Sequence, residues 1–329
     1  MTLKKDGLNR RELVLGAAAG ALAAPAVLST LRSVAEAAAP MQGAAHPTHY
    51  RFKLGAFEVT TIWDGAIQLD GPHPIFGENV MQDDVAALAK ENFLPETRME
   101  ISFTPVIVNT GSEVIMFDSG NGDGRRPNAG QLSATLAKAG FTAEQIDVVV
   151  LTHFHPDHIG GLMEGGQPLF PNARYVTGAA EYDFWSPPAM AEGNLARVGK
   201  LVQSNVVPFA EKTTFVKPGD DVVTGIQAVG AAGHTPGHMA YHFESEGRRL
   251  LAWADTTNHY VASLQRPDWH VRFDMDKEAA AASRKRVLDM VAADRIPATG
   301  YHMPFPAVGF VEAQGSGYRW VPASYQLNL

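Results

Sequence analysis

THFHPDHIGG, residues 152–161, packs three histidines and one aspartate into the six positions 153–158 and closes on two glycines. The whole chain carries 12 histidines in 329 residues, so this crowding is a local feature and not a reflection of composition. The run DVVVLTHF leads into it and reads as a short buried strand. On extended chain, residues two apart point to the same side, so His153 and His155 can meet one metal ion. Pro156 then forces a bend that sends Asp157 and His158 towards a second ion. Gly160 and Gly161 let the backbone turn tightly beneath the site. A donor set of imidazole nitrogen and carboxylate oxygen suits zinc, and also iron, cobalt or manganese.

Two ions need more donors than this run supplies. His234 lies in AAGHTPGH after a strand-like run, Asp255 ends LLAWAD, and His302 follows RIPATGY. Polar groups at the ends of buried strands need partners, and a metal is a good one. Plainer readings stand beside these. Asp255 alone fits a helix N-cap before Thr256. His238 fits a structural place in the GHTPGH turn. His46, His49, His73 and His270 read as ordinary surface or structural histidines.

Composition narrows the class. With 45% hydrophobic and 19% charged residues the chain is globular. A net charge of −8, well mixed along the chain, argues against nucleic acid as a partner. There is no cysteine, which excludes disulfides, a cysteine nucleophile and a thiolate metal site.

Residues 1–39 read as an export signal and cleavage region. Lys4, Lys5, Arg10 and Arg11 precede the apolar run LVLGAAAGALAAPAVL, and Ala-Glu-Ala at 35–37 offers a small-residue cleavage site. The paired arginines of NRRELVL resemble a twin-arginine signal. An amphipathic or anchoring helix is the alternative, but the run is short for a span and broken by Pro25. The expected destination is the periplasm or the medium, with no stable membrane insertion after cleavage.

Residues 40–329 read as a single domain. FKLGAFEVTTIWDG alternates like a strand, DDVAALAKENF reads as a short helix, and FTPVIVNTG with SEVIMFDSG reads as a hairpin. QLSATLAKAGF is a helix ended by Gly140. Residues 165–217 read as loop-rich, with helical pieces at 179–184 and 195–202. DVVTGIQAVGAAG, MAYHFESEG, RRLLAWAD and RIPATG are strand-like. DKEAAAASRKRVLDMVAAD is the clearest amphipathic helix, with Val287, Met290 and Val291 on its apolar side. Strands, helix, strand and histidine cluster occur twice, which predicts two packed sheets with helices outside.

HFHPDH, GHTPGH, the aspartate ending a strand and the late histidine together resemble the metallo-β-lactamase superfamily. The resemblance implies an αββα sandwich of two mixed sheets with metals at one edge. It implies that Asp118, in FDSG, sits behind the ligands and holds the histidine loop. It further implies that His153, His155 and His234 hold one ion, that Asp157, His158 and His302 hold the other, and that Asp255 bridges both. Cysteine-dependent lactamases are excluded, and Asp255 argues against three-histidine lactamases. Glyoxalase II enzymes share the seven ligands but add a helical domain, which the 27 residues after His302 are not expected to supply.

A narrower likeness follows from LTHFHPDHIGGLM, EYDFW, GHTPGHMAY and EAQGSGYRWVPASY. These are similar to methyl parathion hydrolases and their lactonase relatives, which implies an exported, homodimeric, dizinc hydrolase. Two departures matter. NGDGRRPNAG places Arg125 and Arg126 where that group carries an aromatic. Asn258, followed by His259 and Tyr260, stands where acyl-homoserine lactonases carry a tyrosine.

The expected chemistry is hydrolysis of a lactone or aryl ester, with phosphotriesters such as methyl parathion as a side activity. Zinc-bound water ionises near pH ~7, so no separate base is needed. Asp157 and Asp255 are the expected catalytic carboxylates, Asp157 as proton relay to the leaving oxygen. Trp185, Phe184, Arg125, His259, Trp269 and Phe273 are the expected pocket residues. The alternatives are a dedicated organophosphate hydrolase and, of another class, a mononuclear iron persulfide dioxygenase. If the arginine pair is read by the twin-arginine route, Arg10→Lys with Arg11→Lys should leave precursor in the cytoplasm on fractionation. Unchanged delivery of mature protein to the periplasm would reject that route.

Overall fold

Val148–Leu151 is a four-residue strand with every side chain buried. Its alternation divides two cores. Val148 and Val150 face the space between the two large sheets, and Val149 and Leu151 face the helices outside. A strand covered on both faces has to be apolar throughout, which is why DVVVL reads as a continuous run and not as an alternation.

The computed structural model describes residues 40–325. From His46 onward the chain forms one unit. The first sheet runs, in spatial order, His49–Leu54, Phe57–Ile62, Val106–Asn109, Val114–Phe117, Val148–Leu151, Arg174–Gly178 and Thr213–Val216. Its first four strands pair antiparallel and its last four parallel. The second sheet runs Asp221–Val223, Ile226–Gly230, Met239–Ser245, Arg248–Ala252, Ala298–Thr299, Val308–Gln314 and Gly317–Pro322. Only the pair Arg248–Ala252 and Ala298–Thr299 is parallel.

Phe117, Val150 and Val176 of the first sheet meet Tyr241, Phe243 and Leu250 of the second in the central core. The helices Leu132–Lys138 and Ala196–Asn205 cover the outer face of the first sheet. Helix Lys277–Asp294 covers the second through Val287, Leu288 and Val291. Helix, sheet, sheet, helix is the αββα sandwich expected from the sequence.

Some elements differ from the expectation. The run from Tyr50 to Asp64 is two strands, because Gly55 turns the chain at φ +59 where an added Cβ would lie 2.2 Å from the Ser245 carbonyl oxygen. Residues 165–217 contain the short strands Arg174–Gly178 and Thr213–Val216, which show no sustained alternation or apolar run. On either side of the expected helix DDVAALAKENF, the strands Gly65–Asp70 and Arg98–Phe103 form a separate two-stranded ladder that the sequence did not suggest. Helix Lys277–Asp294 buries Arg284 within its apolar side, while Met290 is only partly buried. The expected export signal lies outside the described residues. Among the described residues no helix is long and apolar enough to cross a membrane.

Phe243 is fully buried, with its ring 4.8 Å from that of Phe117 across the two sheets. Phe243→Ala should cost about 3–5 kcal/mol in urea unfolding. A loss below about 1 kcal/mol would show that the sheets do not depend on this contact.

Candidate metal centre

The loops after Val148–Leu151, Ile226–Gly230, Arg248–Ala252 and Ala298–Thr299 open at one edge of the sandwich, and each carries expected ligands. Met239 donates its backbone N–H to the Thr152 carbonyl (3.1 Å), joining the sheets at that edge. His153 and His155 lie on extended chain. Pro156 opens the single turn Pro156–Ile159 that carries Asp157 and His158. His234 is in the loop before Met239–Ser245, Asp255 in the turn after Arg248–Ala252, and His302 follows Ala298–Thr299.

The structure gathers all seven residues into two groups. His153, His155, His234 and Asp255 form one, and Asp157, His158 and His302 the other; within each the donor atoms lie within 4.8 Å of one another. Asp255 stands between them. Its Oδ2 is 3.0 Å from His302 Nε2 and 3.3 Å from His234 Nε2, and its Oδ1 is 3.2 Å from His158 Nε2. His155 Nδ1 faces His234 Nε2 at 2.8 Å and His153 Nε2 at 3.1 Å.

The tautomers follow from the groups behind the rings. His302 Nδ1 is 2.8 Å from the Ser102 carbonyl oxygen, which can only accept, so Nδ1 carries the proton. His158 Nδ1 donates to Asp118 Oδ2 (2.8 Å), and His234 Nδ1 to Asp274 Oδ1 (2.8 Å). In all three rings Nε2 therefore faces the cluster and, once it gives up its proton, offers its lone pair there. His158 Nε2 and Asp255 Oδ1 are buried there without a hydrogen bond. Converging lone pairs and orphaned buried acceptors fit divalent cations, and these residues could hold them.

Without a cation the cluster must share protons. Burial opposes charge on His234, but its bonds to Asp255 and Asp274 prevail and raise its pKa to about 9. Burial likewise opposes charge on His158 and His302, yet Asp255 and the other neighbouring carboxylates push both up. His155 falls to about 3, through burial and the His234 charge. Burial would raise the carboxyl of Asp255, but His302 and His158 hold it well below the carboxylate range.

The residues behind the grouped donors are themselves held by hydrogen bonds. Asp118, at φ +62, also accepts from the Thr152 N–H (2.9 Å). The fully buried Glu181 accepts from the N–H of Phe154 (2.9 Å), the Thr235 hydroxyl (2.7 Å) and the N–H of Gly237 (2.9 Å), tying both histidine loops together. His238 is not among the grouped donors; its Nε2 accepts from the Asp255 N–H (3.1 Å) and its Nδ1 faces the Ala231 carbonyl, the structural place. Tyr301 lies over the His158 ring with centroids 3.9 Å apart. Sequence reading passed over Glu181, although it opens EYDFW, and over Asp274 and Tyr301, which carry no motif of their own.

A cavity of about 620 Å³ reaches the cluster at His302 and is walled by apolar side chains including Trp63, Leu88, Met99 and Phe305. Of the expected pocket residues His259 lines it. The His259 Nδ1 accepts from the N–H groups of Val261 and Ala262 (3.1 Å each), leaving the proton on Nε2. The remaining expectations are corrected. Trp185 is 1% exposed in the core beneath the first sheet, with Phe184 packed against that core. Trp269 is buried beside Phe76 and Val85, and Phe273 is 37% exposed. None of the four lines the cavity. Arg125 does not line it either, but lies 5.6 Å over the Phe103 ring, which meets His302 edge-on, and contributes to lowering the Asp157 pKa. Arg126 turns away to Glu164 (2.7 Å). His46, read as an ordinary histidine, lines the cavity and stacks on Trp63.

The metallo-beta-lactamase superfamily model matches residues 104–299, more than half of the chain. The chain belongs to this superfamily. It is 31% identical over 134 residues to a probable metallo-hydrolase of Mycobacterium tuberculosis, a stretch covering 38% of this chain and 41% of that relative. The matched stretch thus spans about two fifths of that relative's length. Among solved structures, AidC, described as a dizinc quorum-quenching lactonase in complex with a product, superposes with a TM-score of 0.77 at 27% identity, covering 84% of this chain and 98% of AidC. The hydrolase AbOPH gives 0.79 at 25% identity, covering 86% and 99%.

Metal entry must displace the protons that His158, His234 and His302 hold. For His234, raised from 6.5 to about 9, the proton stabilises the metal-free fold fully below 6.5, and that contribution is lost as pH rises towards 9. Metal affinity should therefore rise between about pH 6 and pH 9, and calorimetry in buffers of different ionisation heat should show proton release. Affinity that is flat over this range, with buffer-independent heat, would contradict the shared-proton picture.

Proposed function

We propose that the protein is an exported dinuclear hydrolase of lactones and aryl esters, with zinc as the natural metal and phosphotriesters as a side activity. The observation that carries this reading is the pair of donor groups, with Asp255 of the first standing within 3.2 Å of His158 and His302 of the second, opening at His302 onto an apolar cavity. The likeness to AidC supports both the two-ion reading and the lactone substrate class. Seven converging donors favour two ions over the mononuclear iron alternative, which needs only two histidines and an aspartate. The N-terminal signal pattern supports a periplasmic or secreted location, and the likeness to exported dimeric hydrolases supports a homodimer.

His153, His155 and His234 would hold one ion, Asp157, His158 and His302 the other, and Asp255 both. Bound there, the ions supply Lewis acidity, activating water and polarising the scissile carbonyl or phosphoryl oxygen. The protein supplies the rest. The apolar wall takes the acyl or aryl part of the substrate and excludes bulk water. The neutral His259 ring offers its Nε2–H to a substrate oxygen. Asp157, kept ionised by His158, His302 and Arg125 against burial, can take up a proton at its carboxylate and deliver it to the leaving oxygen. Arg125 stands outside the cavity wall, yet its charge reaches Asp157 and would favour the carboxylate that forms nearby as a lactone opens.

Asp255→Asn should fold, retain one ion by metal analysis and lose most activity; two ions and near-normal turnover would show that Asp255 does not bridge. A panel of lactones, aryl esters, phosphotriesters and β-lactams on zinc-loaded protein tests the substrate class. The best lactone or aryl ester should exceed methyl parathion in kcat/KM by about tenfold or more, at ~1.4 kcal/mol per factor of ten, and Arg125→Phe should narrow that gap. Phosphotriesters outpacing every lactone and ester would overturn the assignment.

A further inference from the structure

Arg284 is fully buried in the middle of helix Lys277–Asp294. Its guanidinium donates to four acceptors: Nε to the Thr256 carbonyl (3.1 Å), Nη1 to the carbonyls of Pro267 (3.0 Å) and Trp269 (3.1 Å), and Nη2 to Asp274 Oδ2 (2.7 Å). Asp274 divides its oxygens, with Oδ2 taking Arg284 and Oδ1 taking His234 Nδ1. Thr256 follows Asp255 directly. One guanidinium thus braces the loops of two grouped donors, His234 through Asp274 and Asp255 through the Thr256 carbonyl.

The backbone repeats the same tie. Met275 N–H donates to the His234 carbonyl (3.1 Å) and Asp276 N–H to that of Gly233 (2.9 Å). Gly233 is packed so closely on the helix start that an added Cβ would lie 2.1 Å from Ala280 N. A buried ion pair is a poor device for stability alone, since apolar residues of similar volume serve a fold as well or better. Its value lies in fixing orientation. Here it fixes which way the His234 ring faces and which nitrogen carries its proton.

We propose that Arg284 and Asp274 are positioning residues that set the metal affinity of the His153, His155, His234 and Asp255 group, while Asp118 serves His158 in the other group. The two halves of the centre would then be tuned separately, each by its own buried carboxylate. The proposal rests on the two-ion reading above.

The test uses full-length holoprotein with zinc and, in parallel, cobalt. Asp274→Asn keeps the shape of the side chain and removes its charge, and Arg284→Lys and Arg284→Met grade the loss of the brace. Chelator competition for zinc should show one ion weakened about 10- to 100-fold in Asp274→Asn, with the second unchanged. Arg284→Met should weaken the same ion most and, through the Asp255 loop, the second ion to a lesser degree, and Arg284→Lys should do both less. The cobalt absorption spectrum of that ion should shift in each, whereas Asp118→Asn should affect the other ion. Wild-type affinity for both ions in Asp274→Asn, with only the metal-free unfolding temperature lowered, would show a merely structural role and overturn the proposal. Equal weakening of both ions would also overturn it. A wild type holding one ion contradicts the two-ion reading alone if Asp274→Asn weakens that ion, and overturns this proposal as well if Asp274→Asn leaves it unchanged. Should Arg284→Met fail to fold, the near-isosteric Asp274→Asn decides.

Discussion

A carboxylate buried among imidazoles is the constraint on which the rest depends. Asp255 is 3% exposed, and His302, Asn258, His158 and His234 all approach its two oxygens within 3.3 Å. Removing such a charge from water is costly unless positive charge or hydrogen-bond donors surround it. Each surrounding histidine then needs its other nitrogen satisfied, which calls for Asp118, Asp274 and the Ser102 carbonyl. Asp274 in turn needs Arg284, and Arg284 needs three backbone carbonyls. The demand for partners spreads outward until it ends in backbone, and this ordering holds the loops.

The sandwich meets that demand because both sheets bring strand ends to one edge. The first sheet delivers His153, His155, Asp157 and His158 after a single strand. The second delivers His234, Asp255 and His302 after three. The Thr152–Met239 bond and the three bonds of Glu181 join these loops across the two halves. The donors therefore converge through the protein's own polar contacts, so metal binding need not order the loops.

What the sequence made legible follows physical rules. Crowded histidines on extended chain, a proline bend and polar residues ending apolar runs sufficed to name all seven gathered donors. Val148–Leu151 was legible because a strand covered on both faces is apolar throughout. Arg174–Gly178 and Thr213–Val216, short strands in a loop-rich stretch with no sustained alternation or apolar run, were missed. The pocket walls were misjudged because an aromatic side chain carries no mark of which core it joins; Trp185 went to the core beneath the first sheet. Asp274 has no local signal at all. Arg284 has one in retrospect, a charge four residues after Ala280 and three before Val287, on the buried stripe of its helix.

The cavity wall has a different origin from the donors. Much of it comes from the ladder strand Arg98–Phe103 and from helix Gln82–Glu91, outside both large sheets. That region contributes to the cluster's support chiefly through the Ser102 carbonyl, a main-chain group present whatever side chain stands there. Positions such as Leu88 and Met99 can therefore drift in size and shape while the proton and charge balance of the centre stays intact. Divergence within one lineage can proceed by reshaping a removable wall around a fixed reactive core, and the specificity of such a protein is evolutionarily cheap to change where its chemistry is not.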